Sequence, residues 1–357
     1  MADDTPINET PAETSAYDSA LPESEQALEE AGIAPELNPD ELPPVQPPSA
    51  GFIVQLFLVP GLIVLVILGV YTLFWKLSSS EQDWRSLVTD LRSKNEHIRW
   101  QAALGLAQVL KADQERGEKG QNLASNSQVA SELSGLLSVM LADTAPSEDD
   151  LKQQEFLART LSLLDAPQTV LPVLRKAMET QRDREVRKYA ITSIATIADR
   201  VNQKGKQLED DGLVTELIEV SKDEDPFVRQ LGAYALGLFK EKAAQERLEV
   251  LLASGDNNTR INAALGLSRQ KSTAGFQVFL DVLNDAAKMS SSENAMSELT
   301  FEKAISLKNV LKAVTDLEAE FNVEQKSKLA EPLKTISEEH PDAKSKIDAG
   351  VALKALS

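Results

Sequence analysis

From residue 81 to the end of the chain, apolar residues recur at intervals of three and four, the period of a helix with one buried face. Over 81–92, Trp84, Leu87, Val88 and Leu91 share a face, and a partner helix is predicted over 95–110. The same period predicts further pairs over 127–141 and 150–164, 167–180 and 183–198, and 212–221 and 225–240. It continues over 241–253 and 256–269, 273–287 and 297–317, and 323–337 and 341–356, about seven pairs in all. Stretches with the two-residue alternation of a half-buried strand are scarce, so the predicted class is all-α.

Before this array the pattern changes twice. Residues 52–73 contain no charged side chain, and a helix of about 20 residues spans the roughly 30 Å of a bilayer core. Tyr71, Phe74 and Trp75 gather at its end, with Lys76 after them, as interfacial aromatics and a flanking cation do. A transmembrane helix is therefore predicted over 51–77, in contact with lipid through residues 52–75, with Pro60-Gly61 kinking it. A cleaved signal peptide fits poorly, because no basic segment precedes the run and no small-x-small site follows it. Residues 1–50 hold nine of the sixteen prolines and 12 acidic side chains with no Lys or Arg. So acidic and proline-rich a segment cannot offset its ordering entropy by burial, and it is expected to be a disordered tail with at most a transient helix over 24–31. Lys76, Arg85, Arg92 and Lys94 all follow the span, which by the positive-inside bias places the array, 78–357, in the cytoplasm.

Within the array, four second helices begin alike. Asn95, Asp183, Asp225 and Asp256 each stand four residues before Arg99, Arg187, Arg229 and Arg260. The Asp or Asn is an N-cap, accepting backbone N–H groups that the first turn cannot satisfy. Small residues follow each arginine at plus three (Ala102, Ala190, Gly232, Ala263) and plus six (Gly105, Ser193, Ala235, Gly266), where close stacking of backbones needs them. Leu or Ile follows at plus seven. Each arginine is placed to bridge the acid of its own or a neighbouring repeat in a charge-assisted ladder, a structural role ahead of ligand contact. Asp150 keeps the cap, with Gln154 at the arginine place, and Thr300 occupies that place further on.

The strings Ile98-Arg99 to Leu106, Val186-Arg187 to Ile194, Val228-Arg229 to Gly237 and Thr259-Arg260 to Leu267 resemble the HEAT-repeat superfamily, in particular the phycobilisome-lyase-like HEAT repeats. The resemblance is good over 84–110 and 167–270. It implies a right-handed α-α superhelix, a HEAT-like solenoid in which seven modules share one continuous apolar spine and the second helices line a concave surface. It also implies protein partners and a scaffold or adaptor role. Plus five from each arginine lies opposite the core stripe and holds Leu104, Thr192, Tyr234 and Leu265, with Trp100 and Ile261 nearby at plus one. These side chains either pack on the next repeat or line a partner groove centred on Trp100, Leu104, Tyr234 and Leu265.

Composition narrows the function further. There is no cysteine, which excludes disulfides and thiolate metal sites, and the two histidines, His97 and His340, lie far apart. A net charge of −19 without a basic stripe argues against nucleic acid as a partner. No cluster suits acid–base or nucleophilic work, so a non-enzyme without cofactor or metal is expected. The alternative is a phycobilin-lyase-like or other enzyme-associated HEAT-repeat protein, although a shared fold does not carry its chemistry with it.

Overall fold

The computed structural model describes residues 50–78, 83–290 and 299–357. The expectations for 1–49 and for helix starts at 81 and 297 lie outside the described residues. So do those for the side chains of Phe74, Trp75 and Lys76. Among the described residues there are fifteen α-helices and no strand, and the chain divides into two units, Met1–Ser80 and Glu81–Ser357.

Among its described residues the first unit holds one helix, α1 (Ala50–Ser78), which continues through Pro60. Its stretch Val54–Leu73 is long and apolar enough to cross a membrane, and its large side chains are exposed. Thr72 Oγ1 donates back to the carbonyls of Leu68 (2.9 Å) and Gly69 (3.0 Å), so its hydroxyl is satisfied within the helix.

The second unit is a succession of antiparallel pairs: α2 (Trp84–Asp90) with α3 (Glu96–Arg116), α4 (Ser127–Leu141) with α5 (Glu148–Leu161), and α6 (Pro167–Ala177) with α7 (Arg184–Gln203). Then come α8 (Leu213–Val220) with α9 (Pro226–Leu236), and α10 (Lys242–Leu251) with α11 (Asn257–Arg269). The last are α12 (Phe276–Ser290) with α13 (Phe301–Asp316), and α14 (Val323–Glu339) with α15 (Ala343–Leu356). Second helices stack on second helices, α5 on α7, α7 on α9, α9 on α11, α11 on α13 and α13 on α15. First helices do the same where α4 meets α6, α8 meets α10 and α12 meets α14. A two-layer solenoid results, because each amphipathic pair can bury its apolar face only against the next pair.

The buried residues do not form one spine. One cluster runs from Trp84 to Leu267 and a second from Ile261 to Leu356. They meet at α11, whose Ala263 and Leu267 belong to the first and whose Ile261, Ala264 and Leu265 belong to the second. Polar side chains latch neighbouring modules by reaching carbonyls at helix ends, which lack partners within their own helix. Gln153 Nε2 donates to Leu91 O (2.6 Å), Arg200 Nη1 to Leu164 O (2.9 Å), Asn202 Nδ2 to Leu238 O (2.7 Å) and Arg247 Nη2 to Ser221 O (3.0 Å). The long connection after α3 is tied down too. Buried Asp113 accepts N–H bonds from Gln121 and, at 2.6 Å, from Leu123.

Candidate docking face on the second helices

The repeated helix starts work by capping. Asn95 Oδ1 accepts from His97 N at 3.0 Å, and Asp183 Oδ1 accepts from Glu185 N (2.8 Å) and Val186 N (3.3 Å). Asp225 Oδ1 accepts from Phe227 N (2.8 Å) and Val228 N (3.2 Å), and Asp256 Oδ2 from Thr259 N (2.9 Å). Asp150 departs from this scheme. The cap of α5 is Ser147, three residues earlier, and Asp150 completes a capping box by accepting from Ser147 N (3.1 Å) and Ser147 Oγ (2.6 Å). The Ser147 hydroxyl holds the Asp150 carboxyl below its usual range. Thr300 likewise proves to be the cap of α13, one turn earlier than the arginine place.

The four arginines divide into two kinds. Arg99 Nη1 donates to Ser93 O (3.2 Å) and Lys94 O (3.4 Å), and Arg229 Nη1 repeats this on Asp223 O (2.7 Å) and Glu224 O (3.3 Å). Both staple the turn just before their own helix. Arg187 and Arg260 instead reach the next module, pairing with Asp223 and, at 2.9 Å, with Asp281. The capping acids are thus not the rungs of an arginine ladder, except where Arg184 pairs with Asp225. That guanidinium, with help from the two backbone amides, holds the Asp225 carboxyl down to about 2.

Measured from each cap, the face turned away from the core carries positions five and nine. They are Trp100 and Leu104 on α3, Lys152 and Phe156 on α5, Lys188 and Thr192 on α7, and Gln230 and Tyr234 on α9. Ile261 and Leu265 follow on α11, Ile305 and Asn309 on α13, and Ile347 and Val351 on α15. Their environments differ along the array. Trp100 is 47 % exposed and Leu104 63 %, and a shallow crevice joins Trp100 to half-buried Phe156 and exposed Lys152 of the next module. In the middle the face is tied up by its own contacts. Lys188 Nζ lies 4.8 Å from the centre of the Phe227 ring, and half-buried Tyr234 sits under the Arg269 guanidinium at 5.2 Å.

Leu265 does not line a groove. It is 8 % exposed, because α12 and α13 pack over that side of α11 and draw it into the second cluster beside Phe279 and Leu307. Ile261 is buried there with it. Of the four residues expected on this face, Trp100 and Leu104 are thus exposed, Trp100 borders a crevice with Phe156, and Tyr234 is engaged by Arg269. At the other end of the array Phe301, Ile305, Ile347 and Val351 are exposed and went unnoticed in the sequence. Counting from the caps Ser147, Thr300 and Asp342 finds Phe156, Ile305, Ile347 and Val351; counting from arginines cannot, since those helices lack the arginine.

Residues 214–293 match the family of HEAT repeats. No curated protein matches the sequence. Among solved structures, a designed armadillo repeat protein aligns at 19% identity over 66% of this chain and 98% of its own, with a TM-score of 0.36. Importin beta aligns at 16% identity over 76% of this chain and 42% of its own, with a TM-score of 0.39. Human deoxyhypusine hydroxylase in complex with glycerol aligns at 15% identity, 77% and 96% coverage, with a TM-score of 0.30.

Proposed function

We propose that this chain is a single-pass, membrane-anchored repeat scaffold, without catalysis of its own, that holds a partner protein on the second-helix face of its first two modules. The observation that carries this is the exposure of Trp100 and Leu104, with Trp100 beside the Phe156 crevice, where the middle modules engage or bury much of the same face with their own side chains. Exposed aromatic and aliphatic residues beside a crevice are the kind of anchor that dominates protein recognition. The anchor is α1, whose Val54–Leu73 stretch is long enough for a bilayer core. The cations that follow it support a cytoplasmic side for the repeat unit. A scaffold fixed to a membrane raises the effective concentration of whatever it holds there.

A photo-cross-linkable residue at position 104 in membranes from the native host tests this. We expect a discrete cross-linked partner at 104, absent when the probe stands at Val139 on α4 and lost in Trp100→Ala with helical content unchanged. The same partner captured by Trp100→Ala and Leu104→Ala variants in undiminished amount would overturn it. Protease accessibility of 83–357 in sealed vesicles of known orientation decides the topology independently.

A further inference from the structure

We infer that the outward face of α13 and α15 docks on an anionic lipid surface. On α13 the buried stripe is Leu307, Val310, Leu311 and Val314, and half a turn away stand Phe301, Ile305, Lys308 and Lys312. On α15 the buried stripe is Ser345, Ala349, Ala352 and Leu356, and its opposite side carries Lys344, Ile347, Val351 and Lys354. The two helices pack directly against each other. Four large apolar side chains and four lysines thus stand opposite the buried stripes of two helices that pack on each other.

The apolar members stand clear of the protein, Phe301 at 83 % exposure and Ile347 at 67 %. Protruding apolar side chains flanked by lysines suit a lipid interface, into which they can sink while the cations stay at the headgroup level. The charge is complementary to a phospholipid headgroup layer. Lys312 is held by Asp316 at 2.6 Å, but no described carboxylate comes within 4.0 Å of Lys308, Lys344 or Lys354. Glu302 is engaged by Asn258, which leaves Asp348 as the one acid of the two helices, among the described residues, with no recorded partner. Lysine stems lie along apolar surface while their ammonium groups reach the headgroups, so Ile347 and Lys354 can be satisfied at the same depth. A nucleic acid would meet the lysines but leave Phe301, Ile305, Ile347 and Val351 in water. The source of the lipid is the bilayer that α1 is proposed to cross, so the inference rests on that anchor.

The chain contains no cysteine, so a single one can be labelled without background. Full-length protein carrying Val351→Cys with an environment-sensitive fluorophore is reconstituted into phosphatidylcholine vesicles, with and without phosphatidylserine, containing a spin-labelled lipid quencher. We expect quenching and a blue shift in the anionic vesicles, severalfold weaker in the neutral ones. The signal should fall at 1 M salt, where the screening length shrinks to about 3 Å. Lys308→Glu with Lys344→Glu and Lys354→Glu should abolish it while leaving the thermal melt in place, and a label at Val139→Cys should remain in water throughout. A label at 351 that stays in water in anionic vesicles, or that is shielded by an added protein and never by lipid, overturns the inference. Resistance of the same protein to carbonate extraction reports on α1 alone, so failure of the face and failure of the anchor are read separately.

Discussion

Arg187 on α7 places its Nη2 on Oδ2 of Asp223, in the turn before α9, and both side chains are only 9 % exposed. This buried pair joins two modules, and Asp223 does more than pair. Its Oδ1 accepts from Asp225 N at 2.9 Å and its carbonyl accepts from Arg229 at 2.7 Å, so the acid also organises the start of the next helix. Removing one partner leaves the other charge uncompensated in a place with little water. Arg187→Met should therefore destabilise the unit by about 3–5 kcal/mol, and Arg187→Met with Asp223→Asn, which removes the charge and keeps an acceptor for Asp225 N, should recover a large part of it. Denaturant midpoints for the two single variants and the double variant check this, and additive losses would contradict it.

Gly237 and Gly266 meet backbone to backbone. A Cβ on Gly237 would stand 2.5 Å from Gly266 Cα, and one on Gly266 would stand 2.8 Å from Gly237 Cα. Gly266→Ala should then cost about 1–3 kcal/mol by forcing α9 and α11 apart, despite alanine's better helix propensity. Gly135, also helical but with nothing within 4 Å of a built Cβ, provides the contrast. Gly135→Ala should raise stability by about 0.5–1 kcal/mol. Thermal melts of the two variants should move in opposite directions.

His340 introduces a pH dependence at the far end. It is fully buried at the turn between α14 and α15, and Nδ1 accepts from Asp342 N at 3.1 Å. The proton of the neutral ring is then on Nε2, which has no partner among the described residues. Burial pushes the imidazole below its ordinary value, Lys346 adds to this, and Asp342 opposes it. The unfolded chain accordingly takes up a proton at higher pH than the folded one. The contribution of the neutral ring is complete above about pH 6.5 and is lost as pH falls below it. Hydrogen-exchange protection factors of 341–356, corrected for the intrinsic pH dependence of exchange, should fall between pH 7 and 5 in the native protein and lose that slope in His340→Phe.

Asp225 gives a second acid-sensitive joint, through a pair of half-buried acid and exposed arginine. Because Arg184 and two amides hold its carboxyl down to about 2, its ionised form stabilises the fold above about pH 3.8 and that support disappears as pH falls toward 2. Arg184→Gln should bring the carboxyl back toward its usual range and move the acid transition of α9 to higher pH. An NMR titration of the Asp225 side chain reads it directly.

Most of this architecture can be read along the chain because its rules are local. Asn95, Asp183, Asp225 and Asp256 cap the helices that follow them because a short oxygen-bearing side chain reaches amides two and three residues on. The same locality explains Leu106, Ile194, Leu236 and Leu267, which a helical period alone puts on the buried side. Ser147 was hidden by Asp150, since both residues of a capping box carry an acceptor and only geometry tells which one ends the helix.

Exposure on the outward face is a different matter. Trp100 and Leu104 occupy the same register as Ile261 and Leu265, with closely similar chemistry, yet one pair faces water and the other is buried. What separates them is the packing of α12 and α13 over α11, a relation between residues far apart in sequence. For the same reason only the folded chain shows that the core divides into two clusters and that Asp113 anchors its long turn. It also sets α13 against α15. Helix periods and caps depend on neighbours within one or two turns, so the order of residues settles them; burial and charge patches depend on which helices meet, and that is decided in three dimensions.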